Sequence, residues 1–239
     1  MKKSLIYFTI LFVLSLGLLS ARLASAANAT PEAIAAGSNW VDDFDSQTLD
    51  SRWFWIGEDP SHWSLSANPG YMSITTQEGS LYLDSNDMKN LLLTPVSSQD
   101  FSIQIWGDFA PSENYHSGGL YIYQDDDNYI QLVRRYFEGN QQLQMYYEKD
   151  GVSDSNITID ETSTSGYMRI DKEGEFYKGF YSMDGIHWDL IGQVIGTLSD
   201  PKVGIGASGG AAITEISADV DFFQLSTVDQ HIYLPLLIK

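Results

Sequence analysis

The sequence predicts an all-β domain, folded as a two-sheet antiparallel sandwich, and three observations predict it. From Trp40 to Thr227 the apolar residues alternate with polar ones at period two. Turn residues interrupt that alternation at the intervals hairpins need. No stretch beyond the first 26 residues has a helical period. An all-β chain of this length must bury two apolar sheet faces, which means a sandwich or a barrel; the sandwich is favoured.

Taken in chain order, the alternating runs are Phe101-x-Ile103-x-Ile105, Leu120-x-Ile122, Ile130-x-Leu132, Leu143-x-Met145-x-Tyr147 and Met168-x-Ile170. Between and after them come Asp125-Asp126-Asp127-Asn128, Asp150-Gly151, Glu173-Gly174 and Asp184-Gly185, residue pairs that tolerate the positive φ of tight turns. The Asp125–Asn128 run is read as a hairpin tip.

Outside residues 39–227 the pattern changes. Residues 1–26 combine Lys2 and Lys3, an apolar run from Leu5 to Leu19, and Ala24-Ser25-Ala26, the three parts of a secretory signal peptide. The apolar run is short for a membrane span. Bacterial-type export is therefore expected, to the medium or the cell surface. Residues 27–38 read as a linker and 228–239 as an apolar tail, either a frayed end or a surface-attachment segment.

Composition narrows the function. There is no cysteine, which removes disulfides, thiolate metal sites and cysteine nucleophiles. The formal charge of −19 argues against nucleic acid and anionic membrane as partners.

Alternation also assigns faces. With Phe101, Ile103 and Ile105 inward, Gln104 and Trp106 point outward, as do Tyr121, Tyr123, Gln131, Arg135, Tyr146 and Glu148 on the runs that follow. If these consecutive strands pair as a meander, the eight form one surface. Aromatic rings stack on pyranose faces, and amides, Arg and carboxylate bond hydroxyls, so this face is expected to bind polysaccharide or oligosaccharide. The competing reading is that Tyr and Trp favour strands whatever the sheet contacts. Trp53, Phe54, Trp55 and Trp63 are expected to divide between the core and a cleft edge.

Several segments together resemble the concanavalin A-like C-terminal domain of family 43 β-xylosidases. They are WVDDF at 40–44, LDSRW at 49–53, HWSL at 62–65, NPGY at 68–71, NLLL at 90–93 and GGLYIYQDDDNY at 118–129. MRID at 168–171, FYSMDG at 180–185, Trp188, VGIG at 203–206 and DVDFF at 219–223 complete the series. The resemblance implies a jelly-roll sandwich of the lectin and glucanase type. In those relatives the domain follows a five-bladed propeller that holds the catalytic carboxylates. No propeller is expected here, so no catalytic residue carries over.

Catalytic constellations are sparse. A glycosidase needs two carboxyl groups about 5–10 Å apart across the scissile bond. On the inferred face only Glu148 and Asp108 could form such a pair, and Glu215-Ile-Ser-Ala-Asp219 has the wrong spacing for a sandwich glucanase. Gly206-Ala-Ser208-Gly-Gly210 matches a nucleophile elbow, but that motif needs a following helix. His62, His116, His187 and His231 have no zinc-ligand spacing. Structural calcium is the one cofactor considered. Asp43 and Asp45 near the first strand could converge with Asp219 and Asp221 on the last, or all four could be strand-end acids of an acidic protein. An EF-hand reading of 150–161 fails, because Val152 and Ser155 stand where an oxygen ligand and Gly are required.

The expected function is an exported, non-catalytic carbohydrate-binding sandwich that recognises a xylan-like plant polysaccharide. The alternatives are a small sandwich glycoside hydrolase and a cell-surface interaction module.

Overall fold

The computed structural model describes residues 38–227. Within them the chain forms fifteen strands and no helix. In order these are β1 (Asn39–Asp42), β2 (Phe54–Ile56), β3 (Trp63–Ser64), β4 (Met72–Thr75), β5 (Leu91–Pro95), β6 (Phe101–Phe109), β7 (Ser117–Asp125) and β8 (Asn128–Phe137). There follow β9 (Asn140–Lys149), β10 (Val152–Asp160), β11 (Ser165–Glu173), β12 (Phe176–Ser182), β13 (Asp189–Ile195), β14 (Lys202–Ser208) and β15 (Ser217–Thr227).

The first sheet runs β13-β12-β11-β6-β15-β4-β3, and the second runs β10-β9-β8-β7-β14-β5-β2. Every named strand pair is antiparallel. β15 is shared on one side. Its first residues pair with β4 (Ser217↔Thr75) and its last with β1 (Asn39↔Ser226), while β6 borders it on the other side.

The period-two pattern does its expected work. Ile103 and Ile105 of β6 meet Leu120, Ile122, Ile130, Leu132, Leu143 and Met145 of the facing sheet, and all are buried. Burying such side chains is the dominant stabilising term, about 1.5–3 kcal/mol for each large one. At one end of this core Trp53 packs its ring 5.0 Å from Trp40 and 4.9 Å from Phe223. Its indole N–H donates to Asp42 Oδ2 at 2.8 Å, so the polar edge of the buried ring is satisfied.

The four early aromatics divide between two apolar clusters, and none lines the cleft described below. Trp53 is in the core, and Trp55 and Trp63 pack partly buried against it, 5.0 Å apart. Phe54 packs on the opposite side of its strand, against a second apolar cluster.

That second cluster lies outside the sandwich proper. Tyr121, Tyr123, Tyr129, Val133 and Tyr146 project from the outer face of the second sheet. They are covered by Leu81 and Met88 from the segment between β4 and β5. We call residues 78–88 the strap. A sheet face that would otherwise be solvated is thereby half roofed, which creates a concavity beside the strap.

Candidate functional site

A cleft of about 680 Å³ opens on this face. Because β7, β8 and β9 are joined by hairpins, they place Tyr121, Tyr129, Gln131, Arg135, Gln144 and Tyr146 side by side as its floor. Asn156 of β10 extends the floor to the sheet edge. Three amides run across neighbouring strands in one polarised series. Gln131 Nε2 donates to Gln144 Oε1 at 3.1 Å, and Gln144 Nε2 donates to Asn156 Oδ1 at 2.8 Å. The aromatic contacts come from the rim. Tyr82 and Tyr115 are each 53% exposed, against 1% for Tyr121 and Tyr146, so the rim tyrosines are the rings with free surface for a ligand. Tyr82 stands 5.7 Å from the ring of Tyr146, and Tyr115 stands 5.9 Å from that of Phe137.

The strap is held by polar contacts at three places. Gly79 and Gly210 exchange backbone hydrogen bonds at 2.9 and 3.1 Å, and Ser208 Oγ donates to Gly79 O at 2.5 Å. Asn86 Nδ2 donates to Asp127 Oδ1 at 2.9 Å, which ties the strap to the β7–β8 hairpin tip. Between them Glu148, fully buried, accepts at Oε2 from Leu83 N (3.0 Å), Tyr146 OH (2.9 Å) and Tyr129 OH (3.3 Å). Its Oε1 is buried without a hydrogen-bond partner. Burial, and the Glu148 charge behind it, push the Tyr129 and Tyr146 hydroxyls well above the usual phenol range. They therefore remain donors at all physiological pH values.

Tyr115 is positioned by His116. That imidazole is completely buried, accepts at Nδ1 from Ser112 N (3.3 Å) and Glu113 N (3.2 Å), and donates from Nε2 to Thr214 O at 2.7 Å. Two N–H groups aimed at Nδ1 require the neutral tautomer that protonates Nε2.

The eight residues expected to form one surface fall into three groups. Tyr121, Gln131, Arg135 and Tyr146 line the cleft. Tyr123 and Glu148 share the sheet but do not line it. Tyr123 donates its hydroxyl to Asp126 at 2.6 Å, and Glu148 lies beneath the strap. Gln104 and Trp106 are a correction. β6 pairs with β11 and β15, not with β7, so both residues sit on the first sheet. There Trp106 lies in register with Tyr167 and Phe222, with Tyr71 6.1 Å from its ring. The same crossover separates Glu148 from Asp108 of β6 and dissolves that carboxyl pair.

The remaining motifs resolve as follows. Among the described residues no helix follows Ser208, which is 4% exposed and engaged with the strap, so the elbow reading fails. Asp45 and Asp43 lie near Asp221, whose carboxyl is held above the usual range by burial first and then by those like charges. Asp219 is engaged elsewhere: its carboxylate accepts from Asn68 Nδ2 at 3.2 Å and Ser217 Oγ at 2.7 Å. Among the described residues no group of three or more His, Asp or Glu side chains is placed to hold a metal ion. No helix among the described residues is long and apolar enough to cross a membrane. Residues 1–26, read as a signal peptide, nearly all of the segment read as a linker, and the tail with His231 lie outside the described residues.

Tyr82, Tyr115, Phe137 and Asn156 were not anticipated. The first two are on loops, where alternation carries no information. Phe137 and Asn156 continue the outward parity of β8 and β10 and could have been read by extending it.

The β xylosidase C-terminal concanavalin A-like domain model matches residues 41–226. A non-reducing end α-L-arabinofuranosidase of Bacteroides ovatus is 24% identical over 202 residues, covering 79% of this chain and 37% of that protein. The solved GH43 BlXynB protein of Bacillus licheniformis superposes with a TM-score of 0.72 at 23% identity, over 78% of this chain and 39% of that one. The xylan β-1,4-xylosidase of Bacillus halodurans C-125 gives 0.67 at 21% identity, over 78% and 38%. At such identities the structural likeness speaks for the fold alone. The chain spans less than two fifths of the length of each of these proteins. With the family model covering most of its length and the two-sheet architecture matching, the chain belongs to the β xylosidase C-terminal concanavalin A-like domain family.

Proposed function

We propose that this protein is an exported, non-catalytic carbohydrate-binding module that takes a xylan-like chain in the cleft of the second sheet. The observation that carries the reading is the polarised amide series Gln131–Gln144–Asn156 on the floor of a cleft that the exposed rings of Tyr82 and Tyr115 also line. Hydroxyls both donate and accept, as amides do, and a pyranose offers an apolar face to a tyrosine ring. The names of the relatives, a xylosidase and an arabinofuranosidase, point to the same class of sugar. The non-catalytic part rests on where the carboxylates are. The two that line the cleft, Glu78 and Asp87, both come from the strap, and Asp87 already accepts from Ser80 N at 2.8 Å.

Affinity for a short oligosaccharide should be on the order of −4 to −7 kcal/mol, because an open polar cleft orders a flexible ligand. The test is affinity electrophoresis through gels containing xylan, arabinan, mixed-linkage glucan or no polymer. Retardation by xylan is expected. Gln144→Ala breaks the amide series at its middle and should weaken binding about tenfold, the effect of roughly one or two hydrogen bonds. Trp106→Ala, on the other sheet, should migrate as the wild type does. Retardation by no polymer overturns the reading, and retardation lost in Trp106→Ala but kept in Gln144→Ala moves the site to the first sheet.

A further inference from the structure

Among the described residues that line the cleft, Arg135 is the one cationic side chain. It is half-buried on β8, and its guanidinium plane lies over the ring of Phe137, 4.8 Å from the centroid. Its Nε and Nη2 both donate to one neutral acceptor, Gln142 Oε1, at 3.2 and 3.0 Å. Among the described residues no carboxylate lies within ion-pairing distance of it, although the chain has 32 acidic residues. Burial accordingly draws its pKa below the usual guanidinium value, against the opposing pull of Tyr82 and Glu138.

A guanidinium offers five N–H donors in a rigid fork. One amide oxygen meets only part of that capacity. Partly desolvating a cation without giving it an anion is costly, and the cost is recovered when a planar, bidentate anion arrives. The stacking on Phe137 and the anchor to Gln142 hold the fork in place, so little side-chain entropy remains to be lost on binding. Phosphate and carboxylate both suit the fork, and in a saccharide cleft the fitting group is a sugar carboxylate.

We infer that the cleft selects an acidic saccharide, a chain bearing a uronic acid whose carboxylate pairs with Arg135. This inference rests on the cleft being the saccharide site. Glu78 and Asp87 also line the cleft and oppose a second anion, but as exposed groups they act through solvent, screened over about 8 Å at physiological ionic strength. The Arg135 pair acts at contact.

The test is calorimetric titration of the purified protein with a xylo-oligosaccharide carrying one uronic acid branch, and with the same oligosaccharide after its carboxyl group is reduced to the alcohol. The acidic ligand should bind at least tenfold more tightly. In Arg135→Gln the two affinities should fall within about twofold of each other, and Arg135→Lys, which keeps the charge without the fork, should retain part of the preference. Equal affinity of the wild type for both ligands overturns the inference while leaving the cleft a saccharide site. If neither ligand binds, the inference falls together with the saccharide reading. Should Arg135→Gln fail to fold, the wild-type comparison of the two ligands still decides.

Discussion

Glu148→Ala should loosen the strap on the second sheet and weaken cleft binding while the sandwich stays folded. Three donors converge on Glu148 Oε2, namely Leu83 N, Tyr129 OH and Tyr146 OH. Alanine leaves all three without an acceptor in a space closed to water. A stranded buried donor costs about 1–3 kcal/mol, and removal of a buried, incompletely satisfied charge gives part of that back. The net effect on strap closure should be about 2–4 kcal/mol. Leu81 and Met88, both buried, oppose this with about 3–6 kcal/mol of apolar contact, so the strap should open more often without detaching. Hydrogen exchange is the measurement. Amides of residues 80–88 should lose protection while those of β6 and β15 keep theirs, and affinity for xylo-oligosaccharide should fall severalfold, because the strap carries Tyr82 of the cleft rim. Unchanged protection of the strap would mean that the Gly79–Gly210 pairing, the Asn86–Asp127 bond and the packing of Leu81 and Met88 hold it without Glu148. Glu148→Gln keeps one acceptor oxygen for the same donors and should be much milder.

The second large effect is on the whole sandwich. At Gly204, in the middle of β14, a methyl group would lie 1.9 Å from the carbonyl oxygen of Leu92 and 3.0 Å from Leu93 Cα. Both are backbone atoms of the paired strand β5, so no side chain can swing aside. Gly204→Ala must push two central strands apart, at a cost of about 3 kcal/mol or more. For a domain of this size that corresponds to a melting temperature lower by roughly 6–12 °C, read by calorimetry. Gly206→Ala is the contrast. There the nearest atom is Met88 Cε at 2.6 Å, the flexible end of a strap side chain, so that variant should disturb the strap more than the sandwich. Equal melting temperatures for Gly204→Ala and the wild type would refute the close approach of β14 and β5.

How far the sequence revealed the site depended on chain order. Alternation assigned Tyr121, Gln131, Arg135 and Tyr146 to one face correctly, because β7, β8 and β9 are consecutive hairpin partners and neighbours in sequence became neighbours in the sheet. The same rule failed one strand earlier. Alternation reports which way a side chain points, not which sheet its strand joins, and β6 leaves its sequence neighbour for β11 and β15. That displaced Gln104 and Trp106 to the far side of the molecule. Glu148 was placed on the right face with the wrong exposure. Its parity is visible in the sequence, but the strap that buries it comes from residues 78–88, which have no period to read. Tyr82 and Tyr115 were missed for the same reason.

The shared position of β15 also governs when this fold can exist. β4, β6 and β1 all border a strand that ends at Thr227, and Ser38 exchanges hydrogen bonds with Thr227 across 189 positions of sequence. Until residues 217–227 emerge, the first sheet is three unconnected pieces, β13-β12-β11-β6, β4-β3 and β1, and Trp40 and Trp53 lack the ring of Phe223. A growing chain therefore cannot complete that sheet before then. Contacts of such long range close slowly and late, so the ribosome must finish the last strand before the first can lock, and folding becomes a single event after synthesis of the domain.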